Sequence, residues 1–131
     1  MKLLDTNICS AIIERHPKAF TSFAESSPDE IYVPTIVQAE LYFGAFNGNR
    51  EEKSLLEIEG LLSNLHLIEF SPQAAKIYGQ LRARLRKEGK PIGPNDFIIA
   101  ATALAGGFTL VTNNTQEFSQ IEGLRLEDWL G

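Results

Sequence analysis

Three carboxylates in this chain stand in places that call for a reason: Asp5 directly after the apolar pair Leu3-Leu4, Glu40 among apolar residues, and Asp96 opening the small and apolar run Phe97-Ile98-Ile99-Ala100-Ala101. Each has an ordinary structural explanation. Asp5 and Asp96 suit helix N-termini, where a carboxylate accepts orphan backbone N–H groups. Glu40 could pair with a lysine or arginine. If the three converge, these explanations weaken, because carboxylates brought together without a cation raise one another's pKa at a cost in free energy. No pattern of lysine or arginine nearby supplies the missing charge, and a divalent ion would.

Ligation by oxygen alone suits Mg²⁺, with Mn²⁺ as the substitute, and Mg²⁺ is commonly held by one or two carboxylates while keeping several waters. Such an ion polarises a phosphoryl oxygen and lowers the pKa of a bound water, the chemistry of phosphodiester hydrolysis. The natural division makes Asp5 and Asp96 the metal ligands. Glu40 then ligates through water or orients the attacking water. Thr6, Thr112 and Asn113 are placed to position these groups by hydrogen bonds.

The elements that must bring these residues together follow from periodicity and punctuation. Lys2 to Leu4 reads as a strand ending at Asp5, and a helix carrying Ile8, Ile12 and Ile13 stops before Pro17. A short helix covers Ala19 to Ala24. Ile31 to Val33 is β-prone and ends at Pro34, after which Thr35 reads as the N-cap of a helix through Phe46. On that helix Ile36, Ala39, Glu40 and Phe43 fall on one face, which sets Glu40 in an apolar stripe. Arg50 to Leu62 is an amphipathic helix and Leu65 to Phe70 a third strand. Ser71-Pro72 starts a helix that Gly89 ends, with Ala75, Tyr78, Leu81 and Leu85 on its inner side. The helix from Asn95 or Asp96 runs to Gly106-Gly107. Phe108 to Thr112 is a fourth strand, Gln116 to Phe118 a helical turn, and Leu124 to Leu126 a short last strand.

Strands alternating with helices predict an α/β fold, one domain over residues 1–131 with a mostly parallel central sheet of four to five strands flanked by helices. Ligands bind outside the carboxyl ends of such strands, where Asp5 and Thr112-Asn113-Asn114 would lie. Helices bearing Glu40 and Asp96 leave the same edge.

The length of 131 residues suits one domain, and no apolar run is long enough for a membrane helix. A single cysteine, Cys9, forms no internal disulfide, and no signal-like segment opens the chain, so the expected compartment is the cytoplasm. Cys9 reads as a small core residue rather than a nucleophile. The net charge of −5 excludes a protein that grips nucleic acid through bulk electrostatics. Arg82, Arg84, Arg86, Lys87 and Lys90 nonetheless crowd together, either as a solvated helix face or as a strip that touches phosphates. There is no nucleophile elbow, no glycine-rich phosphate loop and no histidine pair at ligand spacing; His16 and His66 stand alone. Asp5-Thr6-Asn7 also lacks the second aspartate of the haloacid dehalogenase phosphotransferases.

Four motifs together resemble the PIN-domain ribonucleases: Leu3-Leu4-Asp5-Thr6-Asn7, Ala39-Glu40-Leu41-Tyr42-Phe43-Gly44, Ile92-Gly93-Pro94-Asn95-Asp96 with Ile99-Ala100-Ala101, and Leu110-Val111-Thr112-Asn113-Asn114 with Glu117-Phe118. More narrowly they are similar to the VapC toxins of bacterial toxin–antitoxin pairs, over almost the whole chain. The resemblance implies an Mg²⁺-dependent endoribonuclease held in check by a VapB-type antitoxin whose C-terminal segment fills the toxin's groove. It also implies a homodimer within the toxin–antitoxin complex, DNA bound only through the antitoxin, and no membrane partner. The Gly-Pro-Asn-Asp and Thr-Asn-Asn patterns are similar to the subgroup that cuts initiator tRNA in the anticodon loop. At the position of a fourth acid in many PIN domains this chain has Asn114, and Glu117 one turn later is the acid that could serve instead. Two alternatives stay open: a PIN-like module that binds RNA or protein without cleaving, and a metal-dependent phosphatase acting on small molecules.

Overall fold

The computed structural model describes residues 1–131 as five strands and seven α-helices, two helices following each of the first three strands and one following the fourth. The strands are β1 (Lys2–Leu4), β2 (Ile31–Pro34), β3 (His66–Ile68), β4 (Thr109–Val111) and β5 (Arg125–Glu127). The helices are α1 (Thr6–Ile13), α2 (Pro17–Ala24), α3 (Thr35–Phe46), α4 (Glu51–Leu62), α5 (Pro72–Lys87), α6 (Pro94–Gly106) and α7 (Thr115–Phe118). All neighbouring strands pair in parallel, in the order β3-β2-β1-β4-β5. The α/β expectation is met at its upper strand count.

The inner strands β1, β2 and β4 are short apolar words, largely buried and closed by Asp5, Pro34 and Thr112, whereas the edge strands β3 and β5 hold no fully buried residue. Leu3, Leu4, Ile31, Val33, Leu110 and Val111 are fully buried, as a parallel sheet covered on both faces requires. Leu4 pairs with Val111, so both central strands end level and send Asp5 and Thr112 out of the same edge. Helix α6 is buried on nearly every side, through Phe97, Ile99, Ala100, Ala101 and Ala103. Its alanines allow close approach to the sheet. Gly107 ends it in the left-handed conformation (φ 69°), which costs glycine nothing.

Several sequence expectations shift in the fold. Helix α3 buries Val37, Leu41 and Ala45, whereas Ala39 is exposed and Phe43 is 68% exposed. The stripe through Ile36, Ala39, Glu40 and Phe43 is therefore the flank of the helix, not its inner face. Thr35 is the first helical residue and does not cap; Pro34 takes the cap position. On α5 the inner residues are Ala74, Leu81 and Leu85; Ala75 is exposed and Tyr78 half-buried. Ser71 does cap α5, its Oγ accepting from the Ala74 N–H at 3.0 Å. The short second helix begins at Pro17, proline being well suited to a first helical position. Cys9 is fully buried, and burial pushes its thiol far up, which leaves it unreactive. No helix is long and apolar enough to cross a membrane.

Candidate active site

Asp5 stands where β1 gives way to α1. Its backbone N–H continues the sheet by donating to the Val111 carbonyl at 3.0 Å, and its side chain caps α1, accepting from the Thr6 N–H at 2.7 Å through Oδ1. Oδ2 accepts from the Thr112 hydroxyl at 2.8 Å. Capping and convergence are thus combined in one carboxylate, each oxygen serving one donor. Thr112 is fully buried, and its oxygen in turn accepts from the Asn114 N–H at 3.0 Å, which fixes the hydroxyl proton toward Asp5. Burial is the largest influence on Asp5 and raises its pKa; the bonds from Thr112 and Thr6 oppose this, and nearby Glu40 adds to it.

Glu40 is half-buried and takes its orientation from Thr6, whose hydroxyl donates to Oε1 at 2.8 Å. Thr6 thereby joins Asp5 to Glu40, its amide holding one acid and its hydroxyl the other. The alternative role for Glu40, as partner of a lysine or arginine, is not realised, since the ion pairs of the chain are Lys2–Glu127, Arg84–Glu88 and Lys90–Glu88.

Asp96 differs from the helix cap that its position suggests. Gly93 takes the cap position, Pro94 opens α6, and Asp96 is the third helical residue with no hydrogen bond to any protein donor. Its carboxylate is free to face the crevice. Burial, followed by the charges of Asp5, Glu117 and Glu40, pushes its pKa up to about 6. Asp5, Glu40 and Glu117 therefore all lie within electrostatic reach of Asp96, at the common edge of β1 and β4.

The supporting polar residues complete this edge. Asn7 donates through Nδ2 to Asn113 Oδ1 at 3.2 Å, tying the start of α1 to the loop after β4. Asn114 donates to Glu117 Oε2 at 3.0 Å, so the residue standing at the fourth acidic position holds the acid one turn on. His16 and His66 lie on the surface away from this edge, His66 stacked on Tyr32 at 4.7 Å.

No group of three or more His, Cys, Asp and Glu side chains is arranged as a ready-made metal cage. The donor set nevertheless suits a divalent ion held mainly by water. Asp96 keeps both oxygens free, Asp5 has lone pairs beyond its two hydrogen bonds, and no basic side chain pairs with any of the four acids. A raised carboxylate among like charges is what a cation would relieve.

From Thr6 and Glu40 a groove of about 610 Å³ runs outward between α1, α3 and α4, lined also by Arg15, Arg50 and Lys53 and by the acids Glu14 and Glu57. These cations carry no ion pair. They come from distant points of the chain, one ending α1 and two opening α4, and nothing in their local sequence marks them as neighbours of Glu40.

Comparisons with known proteins show what the chain as a whole is similar to. The PIN domain profile matches residues 2–124. The chain is 37% identical over 127 residues to the tRNA(fMet)-specific endonuclease VapC of Shigella flexneri, covering 97% of this chain and 96% of that one. It is 39% identical over 128 residues to ribonuclease VapC2 of Haemophilus influenzae, with 98% and 97% covered. Among solved structures it superposes, with a TM-score of 0.90 and 38% identity over 98% of each chain, on VapBC2 from Rickettsia felis bound to a DNA fragment from their promoter.

Proposed function

Because the chain belongs to the PIN-domain family and within it to the VapC ribonucleases, we propose that it cuts RNA at the edge shared by β1 and β4, using Mg²⁺ held by Asp5 and Asp96. The observation that carries this is the set of four acids without a basic partner. A magnesium ion there would supply the positive charge that polarises a phosphoryl oxygen and lowers the pKa of an attacking water. Thr112 and the Thr6 amide hold Asp5 in one rotamer, so that the oxygen facing the crevice is preorganised. Glu40, oriented by the Thr6 hydroxyl, accepts a hydrogen bond from the water and aligns it with the phosphorus. Asn114 fixes the Glu117 carboxylate, whose charge reaches Asp96, so that Glu117 would serve as a further anionic ligand or water partner.

For the substrate we propose tRNA, and initiator tRNA cut in its anticodon loop, on the strength of full-length similarity to a tRNA(fMet)-specific endonuclease. The partner we propose is a VapB-type antitoxin, with its C-terminal segment in the groove beside Glu40, where Arg15, Arg50 and Lys53 offer charge to a carboxyl-rich or C-terminal peptide. Phe43 and Phe46, 68% and 61% exposed, form an apolar surface suited to a protein contact, by the antitoxin or by a second copy in a homodimer. Any contact with DNA would run through the antitoxin. The protein acts in the cytoplasm on this reading.

The absence of a ready-made three-acid cage favours one competing reading, a module that binds RNA or protein without cleaving it. Antitoxin-free protein incubated with a panel of tRNAs, in Mg²⁺ and separately in EDTA, distinguishes the two. Fragments formed only with Mg²⁺, and lost in Asp96→Asn, support the nuclease. Intact tRNA in both buffers supports the binding module.

A further inference from the structure

We infer that the outer face of α5, with Phe70 beside it, is an RNA-binding subsite that holds unpaired nucleotides next to the acidic edge, a role that rests on the nuclease reading above. The cations and the aromatic rings occur together. Tyr78, Arg82, Arg86 and Lys87 line one shallow recess of about 620 Å³ on α5. Glu88 is the acid at this end of the helix, and it pairs with Arg84 and Lys90. Arg82, Arg86 and Lys87 are left without a carboxylate partner, in a protein whose net charge is −5. A solvated helix face in such a protein has no need to gather unpaired positive charge on one side.

The aromatic rings connect this face to the site. Phe97, the residue after Asp96, meets the Tyr78 ring edge-on at 6.1 Å and 78°. Tyr78 meets Phe70 edge-on at 6.1 Å and 85°. Phe70 follows β3 and so leaves the sheet at the same carboxyl edge as Asp5, the residue being 41% exposed. Arg82 donates to the Tyr78 hydroxyl, and its guanidinium carbon lies 5.8 Å from the ring centroid. That hydrogen bond sets the guanidinium beside the hydroxyl end of the ring, holding it ready for a phosphate.

A half-exposed ring locked by an edge contact, with unpaired guanidinium and ammonium groups alongside, is what recognition of single-stranded nucleic acid uses: bases stack on the ring and phosphates meet the cations. The charge favours a polyanion, and the position beside Asp96 favours the substrate.

The test is binding measured without cleavage. Fluorescence anisotropy of a labelled RNA stem-loop is followed in EDTA across a salt series, for the wild type, for R82Q/R86Q/K87Q, and for Phe70→Ala and Phe70→Trp. All of these positions are exposed, and melting curves verify that the variants fold. The triple variant should bind at least roughly tenfold more weakly at low salt, and its slope of log K against log salt should fall by about 2, since each lost contact to a single strand is worth about 0.7. Phe70→Ala should lose roughly 5- to 150-fold and Phe70→Trp should not, the range expected for one stacked base. Unchanged affinity and unchanged salt slope in the triple variant overturn the inference. So does a triple variant that keeps its RNA affinity but loses self-association in sedimentation, or loses co-purification with its antitoxin. Wild-type protein that binds through this face yet yields no Mg²⁺-dependent fragments overturns the nuclease reading and leaves the subsite standing.

Discussion

Thr112 and Asp5, which lie 107 positions apart in the chain, share a fully buried 2.8 Å hydrogen bond from Oγ1 to Oδ2 at the level where β1 and β4 end. The bond ties a site carboxylate to the sheet itself. Replacing Thr112 with valine keeps the shape but leaves Asp5 Oδ2 and the Asn114 N–H without their partner. Such buried groups cost about 1–3 kcal/mol each when orphaned, so Thr112→Val should lower the melting temperature, and cleavage should fall roughly 10- to 100-fold. Thr112→Ser keeps the hydroxyl and should recover most of the activity. Equal rates for the valine and serine variants would show that the hydroxyl does not orient Asp5.

The opposite signature is expected at Asp96, which donates to and accepts from no protein group. Asp96→Asn should reduce RNA cleavage by roughly 10²–10³-fold, the usual cost of deleting one preorganised electrostatic contact. It should leave the metal-free melting temperature unchanged or raised, because a half-buried charge among like charges is removed. A variant that melts well below the wild type would return Asp96 to a structural role.

The raised carboxyl of Asp96 also fixes the sign of a pH effect. Its pKa rises from 3.8 in the unfolded chain to about 6 in the fold. Between those values the folded state binds the extra proton, so this group's contribution to stability is present at low pH and is lost as pH climbs through about 6. Asp5, also raised, acts in the same direction. In EDTA the protein should therefore gain less stability, or lose some, on going from pH 5 to pH 7 relative to Asp96→Asn. Added Mg²⁺ should reverse the difference near pH 7. Thermal melts of both proteins at each pH, with and without the ion, measure it.

Glu117 and Asn114 form a donor–acceptor pair at 3.0 Å. If Glu117 stands in for the acid that many PIN domains have at the position of Asn114, Glu117→Gln should cost activity, but by roughly tenfold rather than the larger loss at Asp96, since it is supported by an amide and lies at the periphery of the site. Asn114→Asp would set a second negative charge against Glu117 and should weaken activity at low Mg²⁺ while sparing it at high Mg²⁺. Kinetics over a magnesium titration separate these effects.

Thr6→Val isolates the orientation of Glu40, because the Thr6 amide still donates to the capping Asp5 carboxylate while the hydroxyl bond to Oε1 is lost. The expected result is a lower kcat with KM for tRNA little changed. A change confined to KM would assign Glu40 to substrate binding.

The order of elements was legible in the sequence because its signals are local. Apolar words closed by Asp5, Pro34 and Thr112, Ser71-Pro72 at a helix start, and Gly107 at a helix end each act over a few residues of backbone. The acids were legible for the same reason, as charged residues at the carboxyl ends of strands or among apolar neighbours. Only the tertiary structure decided which side of α3 faces inward. That helix carries Ile36, Val37, Leu41, Tyr42, Phe43, Ala45 and Phe46 around more than one side, so its pattern admits several rotations, and contact with the sheet selects Val37, Leu41 and Ala45. It also decided that Asp5 both caps and converges while Asp96 converges without capping its own helix. Those outcomes depend on where β1 and β4 end relative to each other and on Gly93 taking the cap. A hydrogen bond between residues 107 positions apart exists only once the sheet has set their register, and no local pattern encodes it.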